Sequence, residues 1–115
     1  MNITFKKKKL EKICNSRKLV QKEFGKIMGD RLMQRLEELS ACESLDIMTY
    51  LPQARCHELI QDRKGQLSVD LEHPYRLIFI PEPPFSCLSD GGLDWCSVKK
   101  IKIIMAEYFE NAGSE

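Results

Sequence analysis

Five basic side chains gather in one stretch of the chain where phosphate chemistry could be done: Arg55, His57, Arg63, Lys64 and Arg76. Arginine presents a planar fork of N–H donors that matches phosphate oxygens, and lysine adds a point charge. His57 carries the one side chain among them that ordinarily titrates near neutrality, so it is the natural group to move a proton. Arg63-Lys64-Gly65 stands at the entry of one expected strand, and Arg76 on the strand that pairs with it. Across an antiparallel ladder such residues can project to one surface. A plainer reading is a strand arginine paired with Asp70 or Glu72 and a histidine that only hydrogen-bonds. His73, in the turn before Pro74, reads as a surface residue.

Other catalytic templates are missing. The chain has no GxSxG, no phosphate-binding loop ending in GK[ST], no HExxH and no GxGxxG. Its adjacent acidic pair, Glu37-Glu38, falls on an expected helix where neighbours face apart. The five cysteines (Cys14, Cys42, Cys56, Cys87, Cys96) are odd in number and form no CxxC pair. That pattern fits neither a disulfide framework nor a zinc site, and it points to reduced thiols in a cytoplasm. Cys56 and His57 adjoin, but neighbours on an extended chain point to opposite faces and rarely serve one ion.

The elements that must position these groups follow from hydrophobic period. Asn2 to Phe5 reads as a short strand. Leu10 and Ile13 begin a helical pattern that Asn15-Ser16 interrupts, and Ser16 can cap a second helix. There Leu19 or Val20, then Phe24, Ile27, Met28, Leu32, Leu36 and Leu39 recur at helical spacing, with Gly25 and Gly29 as weak points. Ser40 to Gln53 reads as a connection closed by Leu51-Pro52. Leu67, Val69 and Leu71 then alternate with polar residues as a half-buried strand. Tyr75 to Ile80 is apolar on both faces, as suits a central strand. Pro81-Glu82-Pro83-Pro84 stops it, and 85–97 reads as a long loop. Val98 to Met105 is expected to be the last strand, with a fraying polar tail from Glu107. The expected class is α+β, one domain over 1–115, with the helices packed on one face of an antiparallel-rich sheet.

The net charge of +1 hides an asymmetry. Residues 1–40 carry eleven Lys/Arg against five Asp/Glu, and 41–115 carry seven against twelve. Lys22 and Lys26 belong to the polar face of the expected basic helix, which can meet phosphates, an acidic partner or only water. No apolar run approaches the roughly 20 residues that a spanning helix needs. Lys6 to Lys9 precede no apolar segment of the kind found in secretion signals.

The run Arg55-Cys56-His57-Glu58-Leu59-Ile60-Gln61-Asp62-Arg63-Lys64-Gly65-Gln66-Leu67-Ser68-Val69, followed by His73-Pro74-Tyr75-Arg76-Leu77-Ile78-Phe79, resembles the HigB branch of the RelE/ParE toxin superfamily. The likeness runs over essentially the whole chain and includes Gly91-Gly92-Leu93-Asp94-Trp95 before the last strand. It implies a RelE-like fold and the toxin of a type II toxin–antitoxin module. The implied activity is that of a metal-independent endoribonuclease without cofactor, cutting messenger RNA on the ribosome. The implied partners are a helix-turn-helix antitoxin of the HigA kind, the ribosome and mRNA, with no membrane. On this likeness Arg76 faces the scissile phosphate, and His57 and Arg63 match further catalytic positions. Lys64 is a phosphate contact alongside Arg55, and the basic helix with Lys22 and Lys26 faces ribosomal RNA or the antitoxin.

Two departures from the pattern stand out. Ile60-Gln61 replaces a common lysine-glycine, and Glu107-Tyr108-Phe109 replaces a common aspartate-tyrosine-histidine. Glu107 and Tyr108 conserve proton-exchanging groups, whereas Phe109 cannot exchange a proton. Loss of one acid–base group typically costs about a hundredfold or more. The alternative expectation is therefore a weakened module of the same fold that binds ribosome or antitoxin without cleaving RNA. A gyrase poison of the ParE kind would have no use for the His57, Arg63 and Arg76 set.

Overall fold

The computed structural model describes residues 1–108. Strand β1 (Asn2–Phe5) leads into helices α1 (Lys8–Cys14), α2 (Arg17–Phe24) and α3 (Lys26–Ala41). Short 3-10 turns and four further strands follow: β2 (His57–Glu58), β3 (Leu67–Asp70), β4 (Tyr75–Pro81) and β5 (Lys100–Tyr108). The five strands form one mixed sheet in the order β1-β5-β4-β3-β2, parallel only between β1 and β5. The class is α+β.

The expected second helix is two helices. Ser16 caps α2 as anticipated, its hydroxyl accepting from the Leu19 N–H at 3.2 Å. The run then breaks at Gly25, whose φ of +82° lies where side-chain-bearing residues are strained. The break resets which residues face inward. Gly29, Leu32, Arg35 and Leu39 are buried along α3, whereas Ile27, expected in the apolar stripe, is 72% exposed.

One core fills the space between helices and sheet: Val20, Leu32 and Leu39 from the helices with Leu67, Val69, Leu77, Phe79, Ile101 and Ile103 from the strands. These sheet residues alternate along their strands, so the intervening positions define a second face turned from the helices. Arg35 is a buried charge within the core region. Its Nε donates to the Asp70 carbonyl at 2.7 Å, Nη2 to the Gln53 carbonyl at 3.1 Å, and Nη1 to Glu38 at 2.9 Å. It thereby ties α3 to the end of β3 and to the segment that precedes His57.

The last strand is longer than its sequence pattern. It continues past Met105 through Glu107 and Tyr108, which are paired with Arg76 and Tyr75 of β4. The expected polar tail therefore starts at least two residues later, and Phe109 lies outside the described residues. β2 is a two-residue strand at the far edge, paired with β3.

Candidate active site

Alternation along β4 puts Arg76 and Ile78 on the face turned from the helices, because Leu77 and Phe79 belong to the core. Regular pairing would not bring Glu107 there. Phe79 pairs with Ile103, yet Ile78 pairs with Met105, leaving Ile104 as an extra residue in β5. That bulge flips the alternation of everything after it. Continued from Phe79 and Ile103 without it, the ladder would set Arg76 against Ala106 and turn Glu107 toward the helices. With it, Arg76 and Glu107 are direct partners on the same face.

The Arg76 guanidinium donates to the Glu107 carboxylate oxygen Oε2 from Nε at 2.9 Å and from Nη2 at 2.7 Å. Arg63 reaches the same carboxylate, with Nη1 at 2.8 Å from Oε2 and Nη2 at 3.0 Å from Oε1. Arg63 comes from a 3-10 turn, Gln61–Arg63, between β2 and β3. The turn is bracketed by Gln61 at φ +59° and Gly65 at φ +94°. Because β5 lies beyond β4 in the sheet order, this arginine reaches across β3 and β4 to make the contact. Ser68 and Ile78, on the face it crosses, are fully buried. The Gln66 side-chain oxygen accepts from Arg63 Nε at 3.1 Å and fixes the turn to the start of β3.

Burial pushes the Glu107 carboxyl up, but the hydrogen bonds and charges of Arg63 and Arg76 outweigh it and hold the group below the usual carboxylate range. Glu107 is thus ionised throughout the neutral range. Arg76 is only 3% exposed, so the surface expected to carry it exposed is instead closed over it.

His57 shares this face, since it pairs with Ser68, which pairs with Ile78. It stands two strands and one pleat from Arg76, about 12 Å between Cα atoms by strand geometry. Its Nδ1 lies 2.8 Å from the Arg55 carbonyl. A carbonyl only accepts, so Nδ1 donates to it and carries a proton, and Nε2 is buried. Arg55 holds this geometry from a left-handed backbone, φ +46°, with its guanidinium on Asp70 at 2.9 and 3.2 Å. Non-glycine residues at positive φ, Arg55 and Gln61, flank His57, and such strain concentrates at functional sites.

The remaining expected site residues go elsewhere. Tyr108 pairs with Tyr75, one residue out of step with Arg76 and Glu107, so its ring faces the helical side. There it makes an edge-to-face contact with Tyr75, 5.6 Å between centroids. It is therefore separated from the cluster by the sheet itself. Lys22 and Lys26 lie on α2 and α3, across the sheet from Arg76, and Lys26 pairs with Asp30 at 2.8 Å. Lys64 is exposed beside Arg63. The plainer pairing is also redistributed: Asp70 goes to Arg55 and Glu72 to Arg31, at 3.4 Å.

Sequence reasoning missed Gln66 as a supporting residue, and Arg35 behind the site; Asp70 was expected as an arginine's partner, and the arginine it takes is Arg55. A polar residue at a strand start and a charge in an apolar helix stripe were the available signals. Burial pushes the Cys56 and Cys14 thiols up to about 12 and about 11, which makes them poor nucleophiles. Among the described residues no group of three or more His, Cys, Asp or Glu gathers to hold a metal ion, and no helix is long and apolar enough to cross a membrane. In comparisons with family models, curated proteins and solved structures, nothing matches this chain.

Proposed function

We propose that this chain is a toxin of the HigB and RelE kind, a metal-independent endoribonuclease that cuts messenger RNA on the ribosome and stops translation. One observation carries the reading: three guanidinium N–H groups from two separate elements converge within 2.9 Å on a single anionic oxygen, Oε2 of Glu107. Donors so arranged suit an oxyanion, and a phosphate offers the same kind of oxygen. The α+β architecture with helices on one sheet face is compatible with a RelE-like fold.

The chemistry needs no metal. A ribose 2′-hydroxyl gives its proton to a base and attacks the adjacent phosphorus, and the 5′-oxygen leaves with a proton from an acid. Glu107, ionised at neutral pH, serves as the base. Arg63 and Arg76 stabilise the charge that builds on the phosphoryl oxygens as the RNA phosphate enters their fork. His57, as imidazolium, gives the second proton from Nε2 to the departing 5′-oxygen while Nδ1–H stays on the Arg55 carbonyl, and becomes the neutral Nδ1–H ring. A helix-turn-helix antitoxin of the HigA kind would restrain the protein in the cytoplasm, and Lys22, Lys26 and Lys64 supply positive charge toward ribosomal RNA.

A second reading has its own observation. Arg76 and the His57 Nε2 are both buried, which suits a module of this fold that occupies the ribosome or an antitoxin without cutting. Purified protein added to translating ribosomes, with mRNA 5′ ends mapped, separates the two. Cleavage that falls about 10²–10³-fold in Arg63→Ala supports the nuclease, by analogy with the loss of one oxyanion donor. Intact mRNA with wild-type protein that still binds a helix-turn-helix partner would replace it with the binding module.

A further inference from the structure

We infer that Arg35 of α3 is a positioning residue for His57: through two backbone carbonyls its buried guanidinium fixes the left-handed Arg55, whose own carbonyl orients the imidazole. The role in catalysis rests on the ribonuclease reading and adds to that site a residue from the helical side of the sheet. Arg35 is 1% exposed and stands in the inward row of α3 with Gly29, Leu32 and Leu39. Packing does not call for a charge there, because an apolar side chain of similar volume avoids the cost of burying a guanidinium. What the arginine brings is a fork of donors, which a lysine does not have. The fork is used in full. Nη1 donates to Glu38 in α3 itself, Nη2 to the Gln53 carbonyl, and Nε to the Asp70 carbonyl at the end of β3.

Both carbonyls bear on Arg55. Gln53 precedes it by two residues, in the 3-10 turn Pro52–Ala54, where Ala54 is fully buried. Asp70 reaches it through space, its carboxylate accepting from Arg55 at 2.9 and 3.2 Å. Arg55 is thus gripped at the backbone on one side and at its guanidinium on the other, and Arg35 backs both grips. The backbone needs them. A φ of +46° is unfavourable for a residue with a Cβ and persists only where the surroundings over-determine it. The consequence reaches His57, whose Nδ1 donates to the Arg55 carbonyl at 2.8 Å. That contact sets which ring nitrogen keeps its proton when the ring is neutral, and where Nε2 is aimed. An Arg55 relaxed to extended backbone would turn its carbonyl away and release the ring.

Two variants test this. Arg35→Met combined with Glu38→Gln removes the fork without stranding the carboxylate, and Arg35→Lys keeps the charge beside Glu38 but replaces the fork by one ammonium. Imidazole nitrogen NMR of the full chain at about pH 9, where a histidine ring is neutral, reads the tautomer. Wild type should hold the proton on Nδ1, and both variants should lose that preference while their circular dichroism stays that of the folded chain. On translating ribosomes kcat should fall about tenfold or more, part of what a placed acid contributes, with KM within about twofold of wild type. A folded variant that keeps the Nδ1–H tautomer overturns the inference even if its urea midpoint drops, since that is the mark of a merely structural arginine. A changed tautomer with unaltered kcat overturns it too. A wild-type ring protonated on Nε2 instead removes the contact on which it stands, without any variant having to fold. Failure of the two readings is distinguishable. Wild-type protein that leaves mRNA intact removes the nuclease, while the ring still reports the tether; a cut that proceeds with the ring undisturbed in folded Arg35→Lys removes the tether and leaves the nuclease.

Discussion

Arg76 and Glu107 stand directly opposite each other on β4 and β5, and two guanidinium nitrogens meet one carboxylate oxygen, at 2.7 and 2.9 Å. The Arg76 side chain retains almost no contact with water, and the Glu107 charge offsets part of the cost of burying it. This pair is at once a structural joint between the two central strands and the centre of the proposed active site.

Glu107→Gln should therefore destabilise the fold by about 3 kcal/mol, because it removes a negative charge bonded to a buried guanidinium. Urea unfolding measures this directly. A loss of a few tenths would mean that Arg76 reaches other charge or water once Glu107 is neutral.

The pH dependence has a definite sign. Glu107 titrates lower in the folded protein than its ordinary value of 4.5. Below that value the unfolded chain takes up the proton first, so the stabilisation is present above pH 4.5 and disappears as pH falls through the lower folded value. Urea midpoints recorded from pH 6 downward should decline in that acid window for wild type. Glu107→Gln should show a shallower decline, and identical slopes would refute the assignment.

Gly29 marks where α2 and α3 touch. A Cβ there would stand 2.9 Å from Val20 Cγ1 and 3.3 Å from the Val20 carbonyl oxygen. Gly29→Ala gains about 1 kcal/mol of helix propensity, but overpacking at so close an approach costs about 1–3 kcal/mol. The expected outcome is a lower Tm; a rise would show that the two helices can separate freely.

The thiols should sort by burial. Cys87 and Cys96 are exposed, and the Asp46 charge raises the Cys96 pKa, so an aromatic disulfide reagent at pH 8 should label Cys87 first and Cys96 more slowly. Cys14, Cys42 and Cys56, all raised by burial, should react only on unfolding. Rapid labelling of all five in the native protein would contradict the packing around α1 and the end of α3.

Much of the fold was legible in local pattern. Alternation over Leu67–Leu71 and the apolar run Tyr75–Ile80 correspond to β3 and β4, and Ser16 announces the start of α2. These signals are readable because a strand or a helix face repeats every two or 3.6 residues whatever it packs against. The residue types of the site were legible too: His57, Arg63, Arg76 and Glu107 all lie on the face turned from the helices or reach onto it. Their grouping was not. An extra residue at Ile104 decides that Glu107 meets Arg76, and it leaves no trace in composition because a bulge is a property of the pair of strands. The same holds for Arg63, whose turn is adjacent in sequence to β3 yet touches β5, and for Tyr108, one residue beyond Glu107 and therefore on the other side of the sheet. Sequence by itself determined which side chains were available and which elements carried them; register and the crossing of Arg63 over two strands, both set by long-range pairing, decided which of them meet.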